Sequence, residues 1–269
     1  MRPSMAERLG RVLIIAGSDS GGGAGVQADI KTVTMLGGYA ASAITALTVQ
    51  NTLSVTAIHL IPPGLIEAQA RAVLDDIGAD VIKIGMLGGA AQAVSRLLDD
   101  WPGIPTVVDP VMAAKDGTAL ADAGAIEALK SLFMTRAALL TPNALEAAAL
   151  TGLAVESTDD LRRAGEALLA AGCRAVLMKG GHVPGDTVVD VLMSSAGETT
   201  FEGSRIVSRH THGTGCTLAS ACAVGLAQGL ALEAAVARAW GYTAEAIRHA
   251  PGLGGGAGPL DHGWPLRPQ

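Results

Sequence analysis

Cysteine is scarce, with three in 269 residues: Cys173, Cys216 and Cys222. An odd, sparse set with no C-x-x-C spacing excludes a disulfide framework and a cysteine zinc site. Aromatic residues are also few, at two Phe, two Tyr and three Trp. Charged residues make up 16% of the chain, well below the usual quarter. Basic residues are outnumbered, 19 Lys and Arg against 25 Asp and Glu, for a formal net charge of -6. That balance argues against nucleic acid as a partner, because phosphate backbones demand a basic footprint. It leaves a local anion site open. No long apolar run opens the chain. Residues 12–16 are too short for a signal peptide, and Glu7 precedes them, so a cytoplasmic protein is expected. Residues 211–232 carry no formal charge and have the length of a membrane span. They also hold His212, Gln228, several hydroxyls and many glycines, so the segment is expected to be a buried helix, with no membrane partner.

What the chain has in quantity is small and apolar residues. Forty-nine alanines and 35 glycines make up nearly a third of it, and 49% of residues are hydrophobic. Such a chain is not intrinsically disordered, and it is long enough to bury a large core. Small residues also let helices and strands pack closely. The low charge agrees with a buried subunit interface. Along the chain, short apolar runs alternate with stretches of helical spacing. Strands are predicted over 12–16, 39–49, 54–61, 81–84, 106–108, 137–140 and 175–179. A hairpin is predicted over 188–194 and 199–207. Helices are predicted over 25–36, 63–76, 90–99, 122–133, 143–150, 158–171, 215–229 and 232–248. Alternation of this kind indicates βαβ units, and solid apolar runs indicate strands buried on both faces. The expected fold is a single three-layer α/β/α domain around a mostly parallel sheet. Ligands of such sheets sit beyond the carboxyl ends of the strands.

The residues at those ends carry the chemistry. After the first strand comes Gly17-Ser18-Asp19-Ser20-Gly21-Gly22-Gly23-Ala24-Gly25, a glycine-rich turn whose amides can approach an anion or a flat ligand. It fits a dinucleotide fingerprint poorly, since the second strand ends in Gln50-Asn51 rather than an acid, and taken alone it also reads as a tight turn in a glycine-rich chain. It is not a P-loop, since no Gly-Lys-Ser/Thr follows. Asp109 directly follows the strand 106–108, and Glu146 lies one turn inside the helix that starts near Asn143. One or two carboxylates beside phosphates suffice for Mg²⁺, which keeps several waters. Taken singly, Asp109 also reads as a turn acid before Pro110, and Glu146 as a first-turn acid favoured by the helix dipole. The most specific segment is His210-Thr211-His212-Gly213-Thr214-Gly215-Cys216-Thr217, before the uncharged helix. Gly213, Thr214 and Gly215 would offer N–H groups at a helix N-terminus, an anion hole for a transferring phosphoryl group or another oxyanion. Cys216, in the first turn, is expected to be drawn toward thiolate by the dipole. His212 either pairs with that thiol or bonds the backbone.

Six segments occur in a telling order: Ala16-Gly17-Ser18-Asp19-Ser20 running on to Gly22-Gly23-Ala24-Gly25-Val26-Gln27-Ala28-Asp29; Thr45-Ala46-Leu47-Thr48-Val49-Gln50-Asn51-Thr52; Lys83-Ile84-Gly85-Met86-Leu87; Thr141-Pro142-Asn143 with Glu146; Met178-Lys179-Gly180-Gly181-His182; and His212-Gly213-Thr214-Gly215-Cys216-Thr217. Together they closely resemble the hydroxymethylpyrimidine/phosphomethylpyrimidine kinases of thiamine biosynthesis, in the ribokinase-like superfamily. The resemblance runs from residue 12 to residue 264, which leaves 1–11 as an N-terminal extension and 265–269 as a tail. It implies two successive phosphorylations of an aminopyrimidine, with ATP and Mg²⁺ each time. It places Asp29 and Gln50 against the pyrimidine, with Gly17, Met86 and Val111 as flat walls. The Gln50 amide can both donate to a ring nitrogen and accept from an exocyclic amine. It places Asp109 and Glu146 at Mg²⁺, the latter through water. Lys179, Asn143 and Thr214 fall at ATP, and Gly213, Thr214, Gly215 and Cys216 form the anion hole with Cys216 as base. Lys115 also falls on a family position. Relatives of this kind are commonly dimeric, so a homodimer is expected.

Three other readings stay open at this point. A pyridoxal kinase of the same family is the nearest, although Gln50 favours the pyrimidine. A cysteine hydrolase built on Cys216 and His212 lacks a third orienting group and leaves Asp109 and Lys179 unexplained. A non-catalytic pyrimidine-binding module would have no use for Lys179 and Cys216.

Overall fold

The protein was analysed as a computed structural model. The structure describes residues 9–113, 117, 118, 120 and 123–267. Lys115, Asp122 and most of the N-terminal extension lie outside the described residues.

The solid apolar runs form the centre of the sheet. Strand β1 (Arg11–Asp19) pairs on one side with β2 (Tyr39–Gln50) and on the other with β4 (Val81–Ile84), parallel to both. The sheet continues in parallel through β5 (Thr106–Val108), β6 (Leu139–Leu140) and β7 (Ala175–Met178). Antiparallel strands close its edges: β3 (Val55–Leu60) beside β2, and the hairpin β8 (Thr187–Ser194) and β9 (Gly197–Ser204) beside β7. The order is β3-β2-β1-β4-β5-β6-β7-β8-β9. Every residue of β4, β5 and β7 is buried, as strands covered on both faces require. The edge strand β3 is mostly exposed.

Strand residues alternate between two cores, which produces the three layers. Leu13, Ile15, Ile82, Ile84, Val108, Leu140, Val176 and Met178 point to one side. There they meet α2 (Pro63–Asp76), α3 (Ala91–Asp100), α5 (Ala144–Thr151) and α6 (Thr158–Ala170), with α4 (Ala123–Leu132) beside α3 and α5. Val12, Ile14, Ala16, Val81, Val107, Leu139 and Leu177 point to the other. They pack on α1 (Gly25–Met35), α7 (Thr214–Ala227) and α8 (Leu232–Arg248). The uncharged segment is α7, a helix whose residues are buried from Thr217 through Gly225. No described helix is long and apolar enough to cross a membrane.

Two local features depart from expectation. Gly17, Ser18 and Asp19 belong to β1 rather than to a loop, because Ser18 and Asp19 pair with Leu47 and Thr48. The register shifts between Ala16 and Ser18, so Gly17 sits at an irregularity of the kind that bends strands beside binding sites. A 3-10 turn at Gly180–His182 follows Lys179 and was not predicted. The chain leaves β1 toward β2 on one side and returns as β4 on the other. That switch opens a crevice at the carboxyl ends of the strands.

Candidate active site

A cavity of about 590 Å³ occupies that crevice. Its wall is made by the ends of β1, β2 and β4, by the residues that follow β5, β6 and β7, and by the N-terminus of α7. Cys216, Gly213, Thr214, Gly215, Gln50, Gly17, Met86, Val111, Lys179, Asn143, Asp109 and Glu146 all line it. Asp29 is the one expected site residue that does not. It stands behind the wall, fully buried.

One end of the cavity is ionic. Lys179 leaves β7 and donates from Nζ to Asp109 Oδ1 at 2.9 Å, with Glu146 Oε2 at 3.7 Å. Thr141 adds a bond to Asp109 Oδ1 at 3.2 Å. Burial works against the Asp109 carboxylate, but Lys179 and Lys83 outweigh it and hold the group below the usual range. Burial pushes Glu146 up to about 7, with Lys179 opposing and Asp109 reinforcing the rise. Burial also works against the Lys179 charge, but the two carboxylates override it and raise its pKa. Glu146 is placed by a capping box. Its main-chain N–H donates to Asn143 Oδ1 at 3.0 Å, and its Oε2 accepts from the Asn143 N–H at 2.7 Å. Among the described residues, no group of three or more His, Cys, Asp and Glu side chains could hold a metal ion.

The N-terminus of α7 abuts this ionic cluster. A Cβ placed on Gly215 would lie 3.2 Å from Lys179 Nζ and 3.6 Å from Asp109 Oδ2. Gly213 is the N-cap at φ +83°, and no side chain caps the helix. A Cβ there would fall 1.8 Å from Gly23 O, so glycine is required on both counts. The Thr214 N–H is taken up by Thr211 O at 3.4 Å, and the N–H groups that follow it at the cavity wall have no intrahelical acceptor. At Cys216 burial opposes the pull of the dipole toward thiolate. Although Cys216 reaches the cavity wall, burial pushes its thiol up to about 12. Asp29 and Asp109 add to the rise, against Lys83 and a bond from the Gly25 N–H.

The other end is built on Asp19, a residue whose role sequence reasoning missed. Its Oδ1 accepts from the Gly21 N–H at 2.8 Å, and its Oδ2 from those of Gly23 and Ala24 at 3.0 and 2.9 Å. One carboxylate thus ties down the glycine-rich turn. Burial disfavours its charge, but His212 and these N–H bonds hold its pKa below the usual range. His212 Nε2 lies 2.8 Å from Asp19 Oδ2 and 3.2 Å from Gln50 Nε2. Its expected partners, the thiol or the backbone, are replaced at Nε2 by these two side chains. Thr48 Oγ1 contacts Ser18 O at 2.9 Å and Gln50 Oε1 at 3.1 Å. Met86 forms the flat wall, its sulfur 3.2 Å from where a Gly17 Cβ would be. Beneath lies a second missed feature, the pair of Lys83 Nζ with both oxygens of Asp29 at 3.0 Å, joined by Ser220 Oγ at 2.7 Å. Burial raises the Asp29 pKa against the pull of Lys83, and it works against the Lys83 charge, which Asp29 foremost restores; the bonds from Lys83 and Ser220 to the carboxyl oxygens are those of an ion pair. Lys83 lines the cavity, and Asp29 reaches it only by way of its contact with Lys83.

Comparison with known proteins adds the following. The sequence profile of the family described as phosphomethylpyrimidine kinase matches residues 19–261. The chain is 48% identical to the hydroxymethylpyrimidine/phosphomethylpyrimidine kinase of Streptomyces coelicolor, covering 95% of each chain. It is 49% identical to the thiamine biosynthesis bifunctional protein ThiED of Geobacter sulfurreducens over 94% of this chain. It spans only 52% of that longer protein. Among solved structures, it superposes on the ADP complex of Bacillus subtilis pyridoxal kinase with a TM-score of 0.88 and 31% identity, covering 94% of this chain and 97% of the other. The three-layer architecture expected from the sequence is therefore the ribokinase-like fold.

Proposed function

The chain belongs to the phosphomethylpyrimidine kinase family and is a phosphotransferase, and from that premise we propose that its acceptor is 4-amino-5-hydroxymethyl-2-methylpyrimidine and then the monophosphate of that compound, phosphorylated by ATP in thiamine biosynthesis. The observation that carries this reading is the meeting, in one cavity, of the α7 N-terminus with Lys179 at one end and the Gln50 amide at the other. Phosphoryl transfer is mostly positioning and charge neutralisation. The N–H groups of Gly213, Thr214, Gly215 and Cys216 receive the oxygens of the transferring group. Lys179 adds a cation beside them. Asn143, whose side-chain oxygen caps α5, stands with Thr214 on the nucleotide wall. Asp109 and Glu146 offer the hard oxygen donors that suit Mg²⁺. With fewer than three ligating groups, they fit an ion held largely by phosphate oxygens and water. Such an ion neutralises phosphate charge when bound.

At the acceptor end, Gly17, Met86 and Val111 flank a flat ring. Gln50 offers both a donor and an acceptor to its edge. Asp29 keeps Lys83 charged at the floor. In the first transfer Cys216, once it has given its own proton to solvent, takes the proton of the alcohol as a thiolate. The kinase domain spans 12–264, with short segments on either side. The enzyme is a cytoplasmic homodimer. In support, its cysteines are free, as in a reducing compartment. The sheet edge at β3 also exposes Val49, Leu53 and Leu60 by more than half, an apolar edge that a second copy would cover.

The test is ADP release dependent on ATP and Mg²⁺, with products identified by mass. Hydroxymethylpyrimidine, its monophosphate and pyridoxal are offered separately. Mono- and diphosphate products from the pyrimidines, with little from pyridoxal, are expected. Turnover of pyridoxal alone would overturn the assignment of acceptor, and no turnover at all would overturn the kinase reading.

A further inference from the structure

The hydrogen bonds around Gln50 set donor against donor at His212, and exchanging the two ends of the Gln50 amide removes that clash. Asp19 is a carboxylate and accepts three N–H bonds. Its contact with His212 Nε2 at 2.8 Å therefore needs a hydrogen on that nitrogen, since a carboxylate has none to give. The same Nε2–H then faces Gln50 Nε2 at 3.2 Å, which sets donor against donor. On the other side, the hydroxyl of Thr48 meets two acceptors, Ser18 O at 2.9 Å and Gln50 Oε1 at 3.1 Å, with one hydrogen to share. A half-turn of the Gln50 amide exchanges its oxygen and nitrogen, which are nearly identical in shape. The single His212 Nε2–H is then shared between two acceptors, Asp19 at 2.8 Å and the Gln50 oxygen at 3.2 Å. The Gln50 nitrogen donates to Thr48, and Thr48 donates to Ser18.

We propose that Asp19 and His212 lock the Gln50 amide with its oxygen toward His212 and its nitrogen toward Thr48, which makes His212 a specificity-determining positioning residue. The assignment rests on the pyrimidine reading above and deepens it. Each amide atom uses one site within this network and has one left. Gln50 lines the cavity, so it presents an acceptor on the His212 side and a donor on the Thr48 side. An aminopyrimidine must therefore enter with its exocyclic amine toward His212 and its ring nitrogen toward Thr48. An unlocked amide could turn to suit either edge. Asp19 thus serves two ends at once, anchoring the glycine-rich turn and setting the order of donor and acceptor that the acceptor molecule meets.

Two measurements test this. In ¹⁵N-histidine-labelled protein without ligand, His212 is expected to carry its hydrogen on Nε2, with the coupling pattern of that form. A bare Nε2 overturns the lock whatever the substrate is. The second compares hydroxymethylpyrimidine with its analogue lacking the 4-amino group. The unaltered enzyme is expected to prefer the amine-bearing compound in kcat/KM by about tenfold or more. His212→Leu should reduce that preference to about threefold or less, while His212→Gln, which keeps an N–H, should retain most of it. An equal fall for both compounds with the preference intact would overturn the proposal, because it is the mark of a merely structural histidine. Absence of turnover of either compound by the unaltered enzyme would sink the pyrimidine reading instead, and a bare Nε2 would still overturn the lock.

Discussion

Replacing Cys216 by alanine separates two roles that meet at the α7 N-terminus. Burial pushes this thiol up to about 12, and the neighbouring carboxylates push the same way. At pH 7 such a group is ionised in about one molecule in 10⁵, at a cost of about 7 kcal/mol. A turnover of about 10 per second corresponds to a barrier of about 16 kcal/mol. Thiolate formation fits within that barrier but takes a large part of it. An alcohol acceptor must lose a proton in the first transfer. A phosphate acceptor, with a second pKa of about 6, has already lost its own. A thiol with a raised pKa gains charge as pH climbs toward that value, about tenfold per unit. The ratio of first-step to second-step kcat/KM is therefore expected to rise about tenfold per pH unit between pH 7 and 9. Titration of Glu146, pushed up to about 7, enters both steps and divides out. Quench-flow measurements with each acceptor in turn supply the ratio, and in Cys216→Ala it should be flat. A flat ratio in the unaltered enzyme, or a slope that survives the substitution, refutes Cys216 as the base and leaves it a geometric part of the anion hole.

Lys83→Met strands the Asp29 carboxylate in a site with no solvent exposure, and urea unfolding should show a loss of about 3–5 kcal/mol. Adding Asp29→Leu should recover most of that loss, and a double variant no more stable than the single one would show that the pair is not its cause. Gly213 and Gly229 both have left-handed φ, +83° and +88°, but only Gly213 has backbone within reach of an added Cβ. Gly229→Ala should cost about 1–2 kcal/mol with activity intact. Gly213→Ala should cost more and lower kcat/KM at least about tenfold, and indistinguishable effects would refute the close approach as the reason for glycine.

The layers were legible because central strands such as 12–16 and 175–178 are solid apolar runs, and because helices such as 158–171 carry a clear polar face. The end of β1 was not legible. Gly17, Ser18 and Asp19 look like a turn, and only pairing with Leu47 and Thr48 makes them a strand. The anion hole could be read locally, since Gly213 to Cys216 are contiguous. The role of Asp19 left a local signal, an aspartate just before serine and three glycines, whose side chain can bond N–H groups shortly after it. The partners of His212 and Lys83 left none. They stand 193 and 54 positions away along the chain, and such distances close only on folding. The state of Cys216 depended on burial, which the position of a residue in a helix does not report. Burial there works against the dipole.

The acceptor end of the cavity is held by glycines whose main chain lies too close to its neighbours to admit a Cβ. A Cβ on Gly25 would meet Gly17 O at 2.3 Å, one on Gly23 would meet the His212 ring at 2.5 Å, and one on Gly213 would meet Gly23 O. Met86, with its three rotatable bonds, is the pliable wall of this frame. Reshaping the enzyme for larger or differently substituted rings therefore has a narrow point of entry. A combinatorial library at Met86 changes the width of the slot and leaves the frame alone. The same effort spent on the glycines changes the frame and takes the anion hole with it.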